Sequence, residues 1–188
     1  MRTTRSGESA LLLLDVIGIL EEQNVRYAVV GAMAASVHGI VRASMDADAV
    51  ISLPAHDLAE TESIFRRAGF STELRYGESD DPIGAVLALS DSFDNRVDLL
   101  AGLRGLDAGA FSRALNIPFH GSNLHVIGRE DFIAMKLFAG GPQDVSDARY
   151  ALAGAGKQLD SDLLRQLASG YGRSTTAALA KLLSEERG

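Results

Sequence analysis

The chain of 188 residues contains no cysteine. Disulfide cross-links, thiol nucleophiles and thiolate-based zinc sites are therefore excluded. It also lacks a long apolar run. The one sustained stretch near the start, Leu11 to Leu14, is broken by Asp15 and followed by Glu21 and Glu22. That stretch is too short to span a membrane, and no signal-peptide cleavage pattern follows it. A cytoplasmic protein with no membrane partner is expected. Positive charge is scarce too: 18 Lys and Arg against 25 Asp and Glu leave a net charge of −7. Broad, salt-driven adhesion to nucleic acid needs many phosphate-neutralising cations and is disfavoured. A local patch such as Arg66-Arg67 leaves room for docking an RNA end, although so short a pair is ordinarily solvated surface. Internal repeats and low-complexity segments are absent.

What is present is an ordinary globular composition, 46% hydrophobic and 23% charged. The length suits one compact domain, or a catalytic half with a helical appendix. Leu11 to Glu22 has helical apolar spacing. Tyr27 to Gly31 is short, apolar and β-branched, which predicts a buried strand ending at a glycine. Ala32 to Val37 suits a helix that stops at His38-Gly39. Met45 to Leu53 reads as a second strand, and Pro54 opens a helix from Ala55 to Arg67. Phe70 to Leu74 is a short strand. Gly84 to Leu89 and Arg96 to Leu100 form a hairpin across a turn-rich linker. Asp107 to Leu115 is expected to be helical and Leu124 to Ile127 a last strand. Four helices follow, at Glu130 to Phe138, Val145 to Ala153, Ser161 to Leu167 and Ser174 to Leu183, punctuated by glycine and proline. Strands in front and helices behind predict an α+β fold with a C-terminal helical bundle.

The chemistry lies in the carboxylates. In Asp46-Ala47-Asp48 the acids are two residues apart on a strand, so both project from one face. Met45, Ala47, Ala49 and Ile51 are expected on the other. Two close negative charges beside a buried strand repel and are costly to desolvate. A hard divalent cation with oxygen ligands removes that cost. Asp98, between Val97 and Leu99 in another apolar strand, needs a paired partner or a metal for the same reason. Three acids on neighbouring strands make a constellation for two-metal phosphoryl or nucleotidyl transfer. The competing reading puts Asp46 and Asp48 on a solvated loop and has Asp98 cap a turn, because D-x-D alone is common. The neighbours tilt the balance: Gly31 ends a strand before a helix, where backbone N–H groups receive phosphate, and His38 and Arg42 lie between that turn and the acids. Singly, His38 and Arg42 read as cap or surface residues.

The segment Val30 to Ile51, VGAMAASVHGIVRASMDADAVI, resembles nucleotidyltransferases of the AbiEii type, toxins of type IV toxin–antitoxin systems. The shared features are a glycine turn, HG, an arginine, a small hydroxyl residue and D-x-D, here Gly31, His38-Gly39, Arg42, Ser44 and Asp46/Asp48. The resemblance continues in Arg96-Val97-Asp98-Leu99-Leu100 and in IGREDFIAMKLFAGGPQDVSDARYAL, Ile127 to Leu152. It departs at Ala32 and Met33, where the turn usually has Gly or Ser, and at Ala49, where a larger aliphatic is usual.

The resemblance implies a polymerase-β-like nucleotidyltransferase core with mixed β-sheet over residues 1–128 and a C-terminal helical region packed on it over 129–188. It implies Mg²⁺ or Mn²⁺ held by Asp46, Asp48 and Asp98, with Asp98 helping to deprotonate the acceptor. Lys136 then contacts the NTP triphosphate as a flexible point charge. Gly31, Ala32, Arg42 and Ser44 line the nucleotide site, and Asp147, or Asp144 in its place, orients Lys136 or the nucleotide. The plainer readings are a snorkelling Lys136 and a helix-capping Asp144. The implied reaction transfers NMP from an NTP to a hydroxyl acceptor: a tRNA end, a protein side chain or a small molecule such as an aminoglycoside. A cognate antitoxin is the implied protein partner, and a catalytically inactive binding or regulatory module on the same fold is the alternative. No base pocket is identifiable; Tyr76, Phe93 and Phe111 are better read as core aromatics.

Overall fold

The computed structural model describes residues 1–185. A seven-stranded mixed sheet in the order β3-β4-β5-β2-β1-β7-β6 organises the molecule. Its strands are β1 (Tyr27–Val29), β2 (Asp46–Ile51), β3 (Ser71–Tyr76), β4 (Ile83–Ser90), β5 (Arg96–Leu103), β6 (Leu115–Phe119) and β7 (Ser122–Val126). The helices are α1 (Ser9–Glu22), α2 (Gly31–Val37), α3 (Leu58–Arg67), α4 (Ala110–Arg113), α5 (Arg129–Ala139), α6 (Pro142–Ala153), α7 (Ser161–Tyr171) and α8 (Arg173–Glu185). The β2–β5 and β1–β7 pairs are parallel and the others antiparallel. This is the α+β architecture with a helical C-terminal part that the order of elements predicted. Among the described residues no helix is long and apolar enough to cross a membrane.

Alternation along the central strands separates a core face from a working face. Ala47, Ala49 and Ile51 of β2 and Val97, Leu99 and Ala101 of β5 are all buried. Leu12, Leu13, Val16, Ile17 and Leu20 of α1 recur at helical spacing, are buried, and join the same core cluster; α1 contacts both β2 and β5. Of the intervening residues, Val50 is buried, while Asp46, Asp48, Arg96, Asp98 and Leu100 are half-buried or exposed. Polar groups thus stay on the side that retains solvent. Met45 departs from the expected pattern: it precedes β2 and is 68% exposed, its carbonyl accepting a hydrogen bond from Ser9 Oγ.

Several boundaries differ from those read in sequence. The first strand stops at Val29, and Gly31 already begins α2 at φ 62°. The segment after Pro54 starts as a 3₁₀ turn over Ala55–Asp57 before α3. Phe70 lies outside β3 and packs edge-on against Phe65, ring centroids 5.4 Å apart. The expected helix from Asp107 to Leu115 shrinks to Ala110–Arg113, and Leu115–Phe119 becomes edge strand β6. Its partner β7 follows after His120 and Gly121, both at positive φ, as a two-residue hairpin of the primed type requires. Pro118 is tolerated because an edge strand need not donate on both sides.

Candidate active site

The register of β2 on β5 builds the site. Asp48 stands opposite Asp98, and Asp46 opposite Arg96. All four side chains therefore rise from one face, and the three acids predicted from sequence converge there. Asp48 lies deepest. Burial, then the charges of Asp98 and Asp46, raise its pKa above the ordinary aspartate value, against the opposing pull of Lys136 and Arg96. Gly31 sits directly against this carboxylate: a Cβ built on it would overlap Asp48 Oδ2. Positive φ and steric closeness both call for glycine here.

Asp98 is bound by its own strand neighbour. Arg96 Nε and Nη2 donate to its two carboxylate oxygens at 2.8 and 3.2 Å, and this bonding raises the Arg96 pKa. Such a fork-to-fork pair is the strongest form of carboxylate recognition. Sequence reading saw Arg96 only as part of a strand. Its spacing from Asp98, two residues on one strand and hence one face, was the signal available.

A second cluster forms around Asp147 of α6, which is fully buried. Its Oδ2 takes Arg42 Nη1 at 2.6 Å and Lys136 Nζ at 3.1 Å, while Gln143 Nε2 donates to Oδ1 at 2.9 Å. Burial pushes Asp147 up, but the bonds from Gln143 and Lys136 and the two positive charges outweigh it and hold the pKa below normal. Lys136 also pairs with Asp144 at 2.7 Å. Only 8% exposed, Lys136 is no snorkelling surface lysine. Asp144 is no cap: the residue capping α6 is Gly141, and Asp144 lies in the first turn.

Two cavities flank the D-x-D. Gly31, Asp48, Lys136 and Asp144 line one of about 250 Å³. Ala32, Arg42, Ser44 and Asp46 line another of about 140 Å³, where Ser44 Oγ accepts from the Asp46 N–H at 3.3 Å. The expected nucleotide residues are thus divided between two sides of the acids. His38 is the C-cap residue of α2, as the cap reading has it, but it does not lie at the surface. It is 4% exposed, packs on Phe132 with centroids 4.9 Å apart, and contacts the Ile127 carbonyl through Nε2 at 2.9 Å. A carbonyl only accepts, so Nε2 carries the proton. Arg66, bound to Glu62 and Thr72, and Arg67 are both exposed, in keeping with the solvated-surface reading of the pair. Tyr76 and Phe93 are 55% and 41% exposed rather than core, and Phe111 is half-buried beside Arg26.

The donor chemistry suits a divalent cation: hard carboxylate oxygens on adjacent strands, one destabilised by the other two. Among the described residues no three acids or histidines are already closed around a metal position.

This sheet, with its acids and its C-terminal helices, is a nucleotidyltransferase fold. The antibiotic-resistance factor ANT(2'')-Ia, solved in complex with adenylyl-2''-tobramycin, matches with a TM-score of 0.61 at 16% identity, over 86% of this chain and 98% of that one. An antigenic nucleotidyltransferase-like protein from Paracoccidioides brasiliensis matches with a TM-score of 0.59 at 14% identity, over 97% and 91%. A Thermotoga maritima protein assigned as a nucleotidyltransferase gives 0.56 at 18%, over 81% and 97%. Neither a protein-family model nor a curated protein sequence matches the chain. The likeness to these structures is one of fold, and nothing in it singles out the AbiEii type.

Proposed function

We propose that the chain transfers a nucleoside monophosphate from an NTP to a hydroxyl acceptor, releasing pyrophosphate. The observation that carries this reading is the register pairing Asp48 with Asp98 and bringing Asp46 onto the same face. Asp46, Asp48 and Asp98 would hold Mg²⁺ or Mn²⁺, which when bound supplies charge neutralisation at the reacting phosphate. Asp98, released from Arg96, accepts the hydroxyl proton. The acceptor oxygen then bonds to the α-phosphorus as its bond to the bridging oxygen of the leaving pyrophosphate breaks. Lys136 neutralises the departing polyphosphate, and Asp144 and Asp147 hold the lysine in place. The unit boundary near residue 128 separates the strands that carry the acids from the helices that carry the lysine.

For the acceptor we favour a small molecule. Arg96 opens onto a polar cavity of about 330 Å³ that also contains Ser71, Glu73, Ser90 and Asp94. Together with the net charge of −7, this suits a hydroxylated or cationic compound, an aminoglycoside among them, better than a tRNA end or a protein. A toxin role with an antitoxin partner rests on the AbiEii resemblance alone. The alternative, a non-catalytic binding module, has one observation in its favour, the bidentate closure of Asp98 by Arg96. Calorimetry of each NTP with Mg²⁺, on wild type and Asp46→Ala/Asp48→Ala, tests the proposal. Metal-dependent binding lost in the double variant supports it. A folded wild type that binds no NTP refutes it.

A further inference from the structure

The cavity lined by Gly31, Asp48 and Lys136 extends away from the carboxylates between the sheet and α5. The rest of its wall includes Ile83, Leu100, Leu103, Met135 and Phe138. The polar cavity on the Arg96 side is separate. Lys136, which meets the polyphosphate in the reading above, thus lines the apolar cavity and not the polar one.

We infer that this apolar cavity receives the nucleobase of the NTP and accepts the four common bases with little discrimination. The inference rests on the nucleotidyl-transfer reading and extends it to substrate selectivity. A nucleoside joined to a polyphosphate at Lys136 enters the space that begins at that residue. The acceptor approaches Asp98 from the other side, past Arg96. The volume, about 250 Å³, falls below the roughly 300 Å³ at which pockets for drug-sized ligands begin. It suits one heterocycle rather than an antibiotic.

Selectivity follows from the lining. A site that hydrogen-bonds a substrate group rejects analogues lacking it by about 10⁴-fold or more, whereas apolar contact discriminates only about 10- to 200-fold between substrates differing by a methylene. No Asn, Gln, Ser, Thr or Tyr side chain lines this cavity. Its ionisable groups are engaged elsewhere: Asp48 among the acids, Lys136 and Asp144 with each other. No side chain is left to read the edge of a base.

The test is calorimetry in excess Mg²⁺ with ATP, GTP, CTP, UTP and inorganic tripolyphosphate. It uses the full chain and two variants away from the acids: Ala139→Trp at the exposed cavity mouth and Leu103→Asn in its wall. In wild type the four NTPs bind within a few-fold of one another and about tenfold more tightly than tripolyphosphate, the difference being burial of the base. Either folded variant brings the NTPs towards the tripolyphosphate affinity and leaves tripolyphosphate itself unchanged. A preference above about 100-fold for one NTP overturns the inference. So does an NTP affinity no better than that of tripolyphosphate, or two folded variants that bind NTPs as wild type does. In each of those cases the phosphate site stands. If neither tripolyphosphate nor any NTP binds wild type, the nucleotidyl-transfer reading falls as well.

Discussion

Gly31 and Asp48 are in direct contact across the junction of α2 and β2, with the glycine Cα against the carboxylate where any side chain would stand. Gly31 also has φ 62°. The backbone that begins α2 and the acid at the centre of the site therefore constrain one another. Gly31→Ala faces backbone strain of about 1–3 kcal/mol and displaces Asp48. A urea unfolding curve is expected to shift by that amount, and Mg²⁺-dependent NTP binding to fall at least tenfold. Wild-type binding in Gly31→Ala would show that Asp48 can retreat without loss.

Asp147 holds two cations on one buried carboxylate. Asp147→Asn removes the charge while keeping the shape. Breaking a buried ion pair at one partner costs about 3–5 kcal/mol. Arg42 is one-third exposed and Lys136 retains Asp144, so the expected loss is about 2–3 kcal/mol, below that range. Asp144→Asn, at a side chain 29% exposed, is expected to cost about 1 kcal/mol or less. Denaturant titration of both variants checks the order, and equal effects would contradict the central place given to Asp147.

The buried imidazole of His38 links folding to pH. Burial disfavours its charged form and lowers its pKa; the Ile127 carbonyl and Glu130 oppose this, and Arg129 adds to it. Because the folded-state pKa lies below the unfolded value of about 6.5, the unfolded state binds the proton more readily. Stability is complete above that value and is lost as pH falls through it towards the folded pKa. Thermal melts between pH 7.5 and 5.5 are expected to show a declining Tm for wild type and a flatter profile for His38→Gln. Asp91 titrates in a lower window. Burial raises its pKa, but bonds from the Asn95 side chain and the Phe93 and Asn95 N–H groups outweigh it and give a net lowering. Its contribution is present above about 3.9 and disappears below that. Identical profiles for wild type and His38→Gln above pH 5.5 would exclude the histidine as the source.

The acids were legible in sequence because strand alternation is a local rule. Asp46 and Asp48 share a face by spacing alone, and an acid between Val97 and Leu99 invites a partner. Their partners were less accessible. The resemblance implied that Asp147 or Asp144 orients Lys136; that Arg42 joins Lys136 on Asp147 depends on how α6 packs and on the loop after α2, contacts separated by up to 105 residues. The burial of His38 was hidden for the same reason, since Ile127 and Phe132 supply its surroundings. The β6–β7 hairpin was missed because Asn116 and Pro118 weaken the strand pattern. His120-Gly121 was a primed-turn signal that went unused.

On the proposed function, Arg96 is placed to compete with a divalent cation for Asp98. Its guanidinium is about one-third exposed, so removing it costs little stability, about 1 kcal/mol or less. What it changes is the state of the third carboxylate. If Asp98 is a ligand, a divalent cation in wild type competes with a bidentate arginine for it, and in Arg96→Gln it does not. Mn²⁺ is therefore expected to bind Arg96→Gln several-fold more tightly than wild type, about 1 kcal/mol in favour of the variant. If Arg96 only restrains Asp98, that gain persists when Asp98 is intact and vanishes in Arg96→Gln/Asp98→Asn. Titration of Mn²⁺ by electron paramagnetic resonance, across wild type, both single variants and the double variant, measures this coupling directly. Weaker Mn²⁺ binding in Arg96→Gln would mean that the arginine organises the carboxylate for the cation rather than competing with it.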